Sequence, residues 1–290
     1  MKGKVQNYNY VVVSPVRNEI SYIEKTVHSI ISQDIRPQEW IIVNDGSSDG
    51  TGNVLKIYSK RYNWIKVIDK VDRGFTQVGK GVIEAFNEGL RHIRSQNWDY
   101  IVKMDCDISF DKSFFSELLT RMEKDNKLGV SGGTSFYTEN NRYYEEKMPE
   151  FHPWAGARIY RRECFREIDG LAESLGWDTI DLVRAQMKGW KTTRYNDLRI
   201  IHLRRMSSRK GLWEGKIRLG RNFYITGYHP VFLIARSAYR SIERPYLLET
   251  LGVLVGYFRA MLQKDKLVVT NEEELFLRKQ QIRRLFGGMG

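Results

Sequence analysis

The sequence predicts an α/β fold, a mostly parallel sheet flanked by helices, followed by a helical C-terminal extension. Three observations carry this reading. Four apolar, β-branched runs recur early: NYVVVS (9–14), EWIIVND (39–45), WIKVID (64–69) and DYIVKMD (99–105). Helical patterns separate or follow them, at roughly 20–33, 51–61, 79–95 and 112–124. From residue 206 onward only helical patterns remain. The runs are apolar without alternation, as strands buried on both faces require, so the sheet is expected to be parallel and covered on both sides.

Composition bounds the function. The 290 residues suit one large domain or a domain with an appendage, and 41% hydrophobic content supplies a core. Cys106 and Cys164 show no metal-type spacing, which suits a reduced, cytoplasmic chain. The apolar run in MKGKVQNYNYVVVSP is too short for a signal-peptide core. No segment reaches the ~20 apolar residues that span a bilayer. The net charge of +12, with its basic excess late in the chain, asks for acidic partners. No zinc-finger or RNA-binding signature accompanies it, so nucleic acid is not an expected partner.

Three strands end in conspicuous polar groups: SPVRNE (14–19), NDGSSDGT (44–51) and DCD (105–107). Each alone also reads as a turn or a helix start. Together they fall on one edge, because ligands of open parallel sheets sit at the carboxyl ends of the strands. Alternate residues of an extended segment point the same way, so Asp105 and Asp107 are expected side by side. Their repulsion raises each pKa unless a cation is shared between them. Asp111, directly before FFSELLTRMEK, is the expected helix cap.

Beyond residue 128 the pattern changes. GVSGGTSFY (129–137) suits a strand with close backbone packing, and 137–153 reads as a polar, aromatic excursion. WAGARIYRRECFREIDGL (154–171) gives a small-residue turn, then a basic strand or helix. GWDTIDLVRAQMKGWKTTRY (176–195) contains a helix over 178–188, stopped by Gly189. No linker precedes about residue 205, so the expected division is 1–205 and 206–290. In the second part, helices are expected at 212–226, 229–243, 246–262 and 271–285. PYLLETLGVLVGYFRAML (245–262) carries Glu249 and Arg259, too much charge for a spanning helix. It reads as a buried bundle helix or, given the basic flanks RSAYRSIER and QKDK, as a helix lying on an anionic membrane surface.

SPVRNE, NDGSSDGT and DCD, in this order, resemble the nucleotide-sugar half of family 2 glycosyltransferases, which have the Rossmann-like GT-A fold. WAGARIYRRECFREIDGL and GWDTIDLVRAQMKGW continue the resemblance through residue 205. It implies that Pro15, Arg17 and Glu19 line the nucleotide base and ribose and that Asp45 holds the base edge. Asp105 would lie near the ribose and the metal. Asp107 would ligate the Mn²⁺ or Mg²⁺ that bridges the diphosphate. Asp178 stands where the family has its catalytic base, although Trp177 replaces the usual glutamate before it. Asp181 competes for that role and otherwise reads as a helix-surface carboxylate. His202 stands where some members have a further metal ligand, and otherwise reads as a structural histidine. The run RRMSSRKG after it would close over the diphosphate. Gly79, Lys80 and Gly81 resemble the family's glycine-rich helix start, near phosphate or ribose.

The resemblance implies transfer of a sugar from a nucleotide-sugar donor, with a UDP-sugar favoured, to a glycan or lipid-linked acceptor. The residue types suit that chemistry. A divalent cation stabilises charge on a departing diphosphate, and carboxylate oxygens suit hard cations. One base on the opposite side gives inversion at the anomeric carbon. Three rivals remain. A nucleotidyltransferase would open with a glycine-rich triphosphate loop, which SPVRNE lacks. A non-catalytic nucleotide-binding module would dispense with Asp107 or Asp178. A nucleic-acid binder rests on charge alone.

Overall fold

The computed structural model describes residues 8–139, 142–204, 212–240 and 246–287. The chain divides into two compact units, Met1–Glu173 with Lys188–Arg204 and Ser174–Met187 with Arg205–Gly290.

In the first unit the four apolar runs become β1 (Tyr10–Val16), β2 (Glu39–Asp45), β3 (Ile65–Lys70) and β4 (Tyr100–Met104). They are mutually parallel, in the order β3-β2-β1-β4. The intervening patterns become α1 (Ile23–Ile31), α2 (Thr51–Arg61) and α3 (Lys80–Arg91), and α4 (Phe114–Lys124) follows. Successive side chains of β1 leave on opposite faces. Val12 joins the core cluster of Ile23, Val27, Leu55 and Leu118. Val13 faces the other way, against Gly89 of α3, where a Cβ would come within 2.5 Å of it. Both faces are therefore covered, which explains why the strands lack polar alternation. Pro15 sits where one ladder has ended: β1 pairs with β4 only as far as Val13, so the missing N–H costs nothing on that side.

Beyond β4 the sheet becomes mixed. It gains β5 (Ile108–Phe110), β6 (Leu128–Glu139), β7 (Arg142–Glu145), β8 (Ala157–Arg161) and β9 (Lys191–His202). The order is β3-β2-β1-β4-β8-β6-β9-β5, with β7 on β6. β8 runs antiparallel to β4 and β6, and α5 (Arg162–Glu167) follows it directly. β9 runs parallel to β6 and antiparallel to β5. The excursion expected at 137–153 thus contains the end of β6 and all of β7. The cap of α4 also differs from expectation. A turn at 112–113 delays the helix, so Ser113 takes the cap position, and Asp111 contributes only its carbonyl oxygen to the Phe114 N–H, at 3.1 Å.

The second unit holds α6 (Trp177–Met187), α7 (Leu212–Ile225), α8 (Pro230–Arg240), α9 (Tyr246–Leu262) and α10 (Asn271–Leu285). Its core gathers Val183, Phe223, Tyr228, Leu233, Val253, Tyr257 and Leu277. Thr270 and Glu273 form a reciprocal capping box at the start of α10. The Glu273 carboxylate also accepts from Arg184 of α6 at 2.6 Å. Among the described residues, no helix is long and apolar enough to cross a membrane.

Helices α7 and α9 approach so closely that only glycine fits between them. A Cβ on Gly256 would lie 2.0 Å from the Ile217 carbonyl oxygen, and one on Gly220 would lie 1.9 Å from that of Val253. Gly256→Ala is expected to push the helices apart and cost about 1–3 kcal/mol, measured as a lowered midpoint in chemical denaturation of the full chain.

Candidate active site

Because β1 to β4 are parallel, their carboxyl ends form one edge, and two charged clusters stand along it. The first lies at the ends of β1, β2 and β3. The Asp45 carboxylate, almost fully buried, pairs with Arg73 and lies 3.5 Å from Lys70. Arg17 donates to the Asp45 carbonyl oxygen and, at 2.5 Å, to Asp72. Gly46 has a φ of +70°, and a Cβ there would fall 2.5 Å from the Asp72 backbone, so glycine is required for these loops to meet. Arg73 also pairs with Glu84 at 3.1 Å, and Lys80 reaches the same carboxylate at 3.5 Å. The Arg73 Nε–H is buried without a hydrogen-bond partner among the described residues.

The loop after β1 is pinned to the loop after β2. Asn18, in the left-handed region at φ +55°, accepts from the Ser48 N–H at 2.8 Å and donates its own N–H to Ser47 Oγ at 3.0 Å. The Glu19 and Ile20 N–H groups donate to Thr51 Oγ1 and to Asp49, at 2.9 and 3.0 Å. NDGSSDGT is thus a scaffold for the loop that holds Arg17 and Glu19.

The second cluster lies at the end of β4. The chain leaves the strand at Met104, and the Asp105 and Asp107 carboxylates, near enough for the Asp107 charge to raise Asp105, take different cation partners. Asp105 pairs with the buried Lys103 at 2.5 Å. Asp107, 3% exposed, takes Arg204 at 2.6 Å and His202 Nε2 at 3.3 Å. Arg204 grips both oxygens of Glu19 as well, at 2.8 and 3.0 Å. His202 and Asp107 are far apart in sequence, and the sheet brings them together: Ile108 of β5 is in register with His202 of β9, and the Leu203 N–H donates to the Asp107 carbonyl at 2.8 Å. His202 Nδ1 meets Glu146 Oε1 at 3.1 Å, and Trp154 packs on its ring at 4.9 Å between centroids.

The charges shape one another. Burial acts to raise Asp107, but the His202 hydrogen bond and the Arg204 charge outweigh it and hold the carboxyl below its usual range. Asp105 goes the other way. Although 36% of its side chain stays exposed, desolvation of the deeply set carboxyl raises it against the pull of Lys103, and the Asp107 charge adds to the rise. Burial alone would lower His202, yet its bonds to Asp107 and Glu146 raise it to about 9. Burial pushes the Cys106 thiol well up, so it serves as packing and not as a thiolate.

Asp107 Oδ2 and His202 Nε2 lie 3.3 Å apart; a carboxylate oxygen suits Mn²⁺ or Mg²⁺, and an imidazole nitrogen that has given up its proton is a second donor. Among the described residues, no group of three or more His, Cys, Asp or Glu has metal-holding geometry. Cations of this kind are commonly held by one or two protein groups plus substrate phosphates, so two donors fit a metal that arrives with a diphosphate.

The structure thus brings Glu19, Asp105, Asp107 and His202 into one cluster, and Pro15, Arg17, Asp45 and Lys80 lie on the strand ends and helix start beside it. Asp178 falls in the first turn of α6, in the second unit. Asp181 is buried and accepts from the Leu182 N–H at 2.7 Å, so it is not a helix-surface carboxylate. Of the run RRMSSRKG, Arg204 belongs to the cluster, and 205–211 lie outside the described residues. Sequence reasoning missed Arg73, Lys103 and Glu146. Arg73 was findable, because DRG follows β3 as the other polar clusters follow their strands.

The family model described as "Glycosyl transferase family 2" matches residues 11–174, more than half of the chain, and the protein belongs to that family. It is similar to the poly-beta-1,6-N-acetyl-D-glucosamine synthase of Staphylococcus epidermidis, 29% identical over 116 residues, which are 40% of this chain and 26% of that protein. The chain therefore matches only about a quarter of that relative's length. Among solved structures it resembles the mannosyltransferase PcManGT of Pyrobaculum calidifontis, in complex with GDP-Man and Mn²⁺. The TM-score is 0.59 at 15% identity, covering 97% of this chain and 82% of that one. It also resembles TarS 1–349 of S. aureus in complex with UDP-GlcNAc, with a TM-score of 0.55 at 16% identity, covering 93% and 78%. These likenesses establish the GT-A fold.

The raised pKa of His202 fixes a pH dependence for the metal-free protein. A cation held by two buried carboxylates stabilises the fold fully below the ordinary histidine value of 6.5, and this is lost as pH rises through about 9. Melting in EDTA is expected to show wild type losing at most about 3 kcal/mol across that window, a loss absent from His202→Gln.

Proposed function

We propose that the protein is a metal-dependent, inverting glycosyltransferase that moves a sugar from a nucleoside diphosphate sugar to a glycan or lipid-linked acceptor. The observation that carries this is the meeting of Glu19, Asp105, Asp107 and His202 at the strand ends, beside the Asp45–Arg73 pair. Asp45 and Arg73 together offer an acceptor and a donor, the pattern a base edge needs. Pro15 and Arg17 would line base and ribose, Glu19 and Asp105 the ribose side, and Lys80 the approach to phosphate. Asp107 and His202 would hold Mn²⁺ or Mg²⁺, which when bound supplies positive charge for the departing diphosphate. Asp178 would take the proton of the acceptor hydroxyl, a role worth about 10²–10⁴ in rate. One base and one displacement invert the anomeric centre.

UDP is the favoured donor nucleotide. The similarity to an N-acetylglucosamine polymer synthase supports cell-surface polysaccharide or glycoconjugate synthesis. The second unit supports a place on the cytoplasmic face of an anionic membrane. On α9, Leu251, Val255 and Leu262 are exposed apolar residues, Arg259 is exposed on the same stripe, and Lys264 and Lys266 follow. An apolar stripe with a basic end suits a headgroup layer.

Calorimetry with UDP, GDP, CDP and dTDP, each with and without Mn²⁺, is expected to give metal-dependent binding of one of them. Binding of none would favour a non-catalytic module. Asp178→Asn is expected to retain that binding and to lower turnover about 10²–10⁴-fold; unchanged turnover removes Asp178 from the base role. Sedimentation with phosphatidylglycerol vesicles is expected to recover wild type and to recover less of Leu251→Glu/Val255→Glu, and equal recovery rejects the membrane assignment.

A further inference from the structure

Glu146 is a buried carboxylate with no part in the reaction described above, yet its N–H and both its carboxylate oxygens are committed. It follows β7 directly, and its N–H donates to the Ser135 carbonyl of β6 at 2.8 Å, continuing the ladder by one residue. Its Oε2 accepts from Ser135 Oγ at 2.7 Å. Its Oε1 meets His202 Nδ1 at 3.1 Å. The relative exposures of Glu146, Ser135 and His202 are 9%, 1% and 6%. β6 lies between the two partners: Phe136 is in register with Glu145 on one side and with Ile201 on the other. The carboxylate thus reaches across a strand to the imidazole.

A carboxylate that takes Nδ1–H sets three things at once: the tautomer, the plane of the ring and the direction of the Nε2 lone pair. Here that direction leads to Asp107 Oδ2, 3.3 Å from Nε2. Trp154 packs against the ring, tilted 56° to it at 4.9 Å between centroids. We infer that Glu146 is the positioning residue that holds His202 as a metal ligand, with Ser135 holding Glu146 in turn. This rests on the metal-binding reading above. It adds to it a carboxylate, supplied by the hairpin of β6 and β7, that sequence reasoning left in a loop.

The test is the affinity for Mn²⁺ alone, read from the electron paramagnetic resonance of the free ion, on full-length wild type, Glu146→Gln, Ser135→Ala and His202→Ala. Glu146→Gln is expected to weaken binding about 10–100-fold, and Ser135→Ala to weaken it less, in the same direction. Ser135→Ala also covers the case in which Glu146→Gln does not fold. Electron spin-echo modulation of the bound Mn²⁺ is expected to carry the coupling of a ligated imidazole nitrogen in wild type and to lose it in Glu146→Gln. Wild-type Mn²⁺ affinity in Glu146→Gln and Ser135→Ala, with a loss in His202→Ala, overturns the role of Glu146 and leaves the metal site standing. Unchanged affinity in all three variants overturns both. Imidazole coupling undiminished in Glu146→Gln also overturns it, because a merely structural contact would not govern whether the ring ligates the metal.

Discussion

The structure depends on keeping Asp107 ionised where water scarcely reaches. An isolated buried carboxylate would neutralise itself or unfold its surroundings. This one stays an anion because His202 and Arg204 come to it from the end of β9, and much of the topology beyond β4 serves that delivery. β9 must run parallel to β6 and then pair with β5, so that the chain passes Asp107 when it reaches His202 and Arg204. Arg204 repeats the service for Glu19, binding it through two parallel hydrogen bonds, the strongest form such a pair takes. The loop after β1 and the end of β9 are thereby joined through charge, with no apolar contact required.

The same constraint governs the other cluster. Asp45 is buried at the end of β2, and Arg73 and Lys70 answer its charge from the neighbouring strand and its loop. Arg17 spans the gap between these loops, bound to a carbonyl on one and a carboxylate on the other. Asp45, Arg17 and Arg73 are thus each fixed by a partner from a different strand or loop. That rigidity is what a binding site needs, since a preformed site loses less freedom when a ligand arrives. It follows from parallel strands, which put four different loops at one end.

What could be read from the chain follows the range of the interactions. β1 to β4 and their helices were legible because burial on both faces leaves apolar runs with nothing polar inside. The motifs were legible because each stands directly after such a run. β5 and β9 were not. β9 reads KTTRYNDLRIIH, part exposed and part buried, and its register breaks at Gly133–Thr134 of β6, so no period survives. Its place is set by pairing with distant strands, which no local pattern records. Glu146 was hidden for the same reason: its partners are Ser135 and His202, neither of them its neighbour in a helix or a strand. Periodicity found α6 as a helix, and it is silent on whether α6 packs with the sheet or with the C-terminal helices, which share its compact unit.

The balance of charge around Asp107 would let few protein donors serve the metal proposed above. Glu19, Asp105, Asp107 and Glu146 are answered by Lys103, Arg204 and a protonated His202, so the cluster is close to neutral before anything binds. A dication that took the place of the proton on Nε2 would add one net positive charge, not two, because metal ligands bind in their deprotonated form. That small change is easily borne where a charge left unbalanced is costly. A cluster of three or four carboxylates without cations would bind a metal more tightly and would also fold less well in its absence. The cations that stabilise the metal-free fold would therefore limit metal affinity, and in the proposed reaction a diphosphate that brings its own oxygens would supply what the protein withholds.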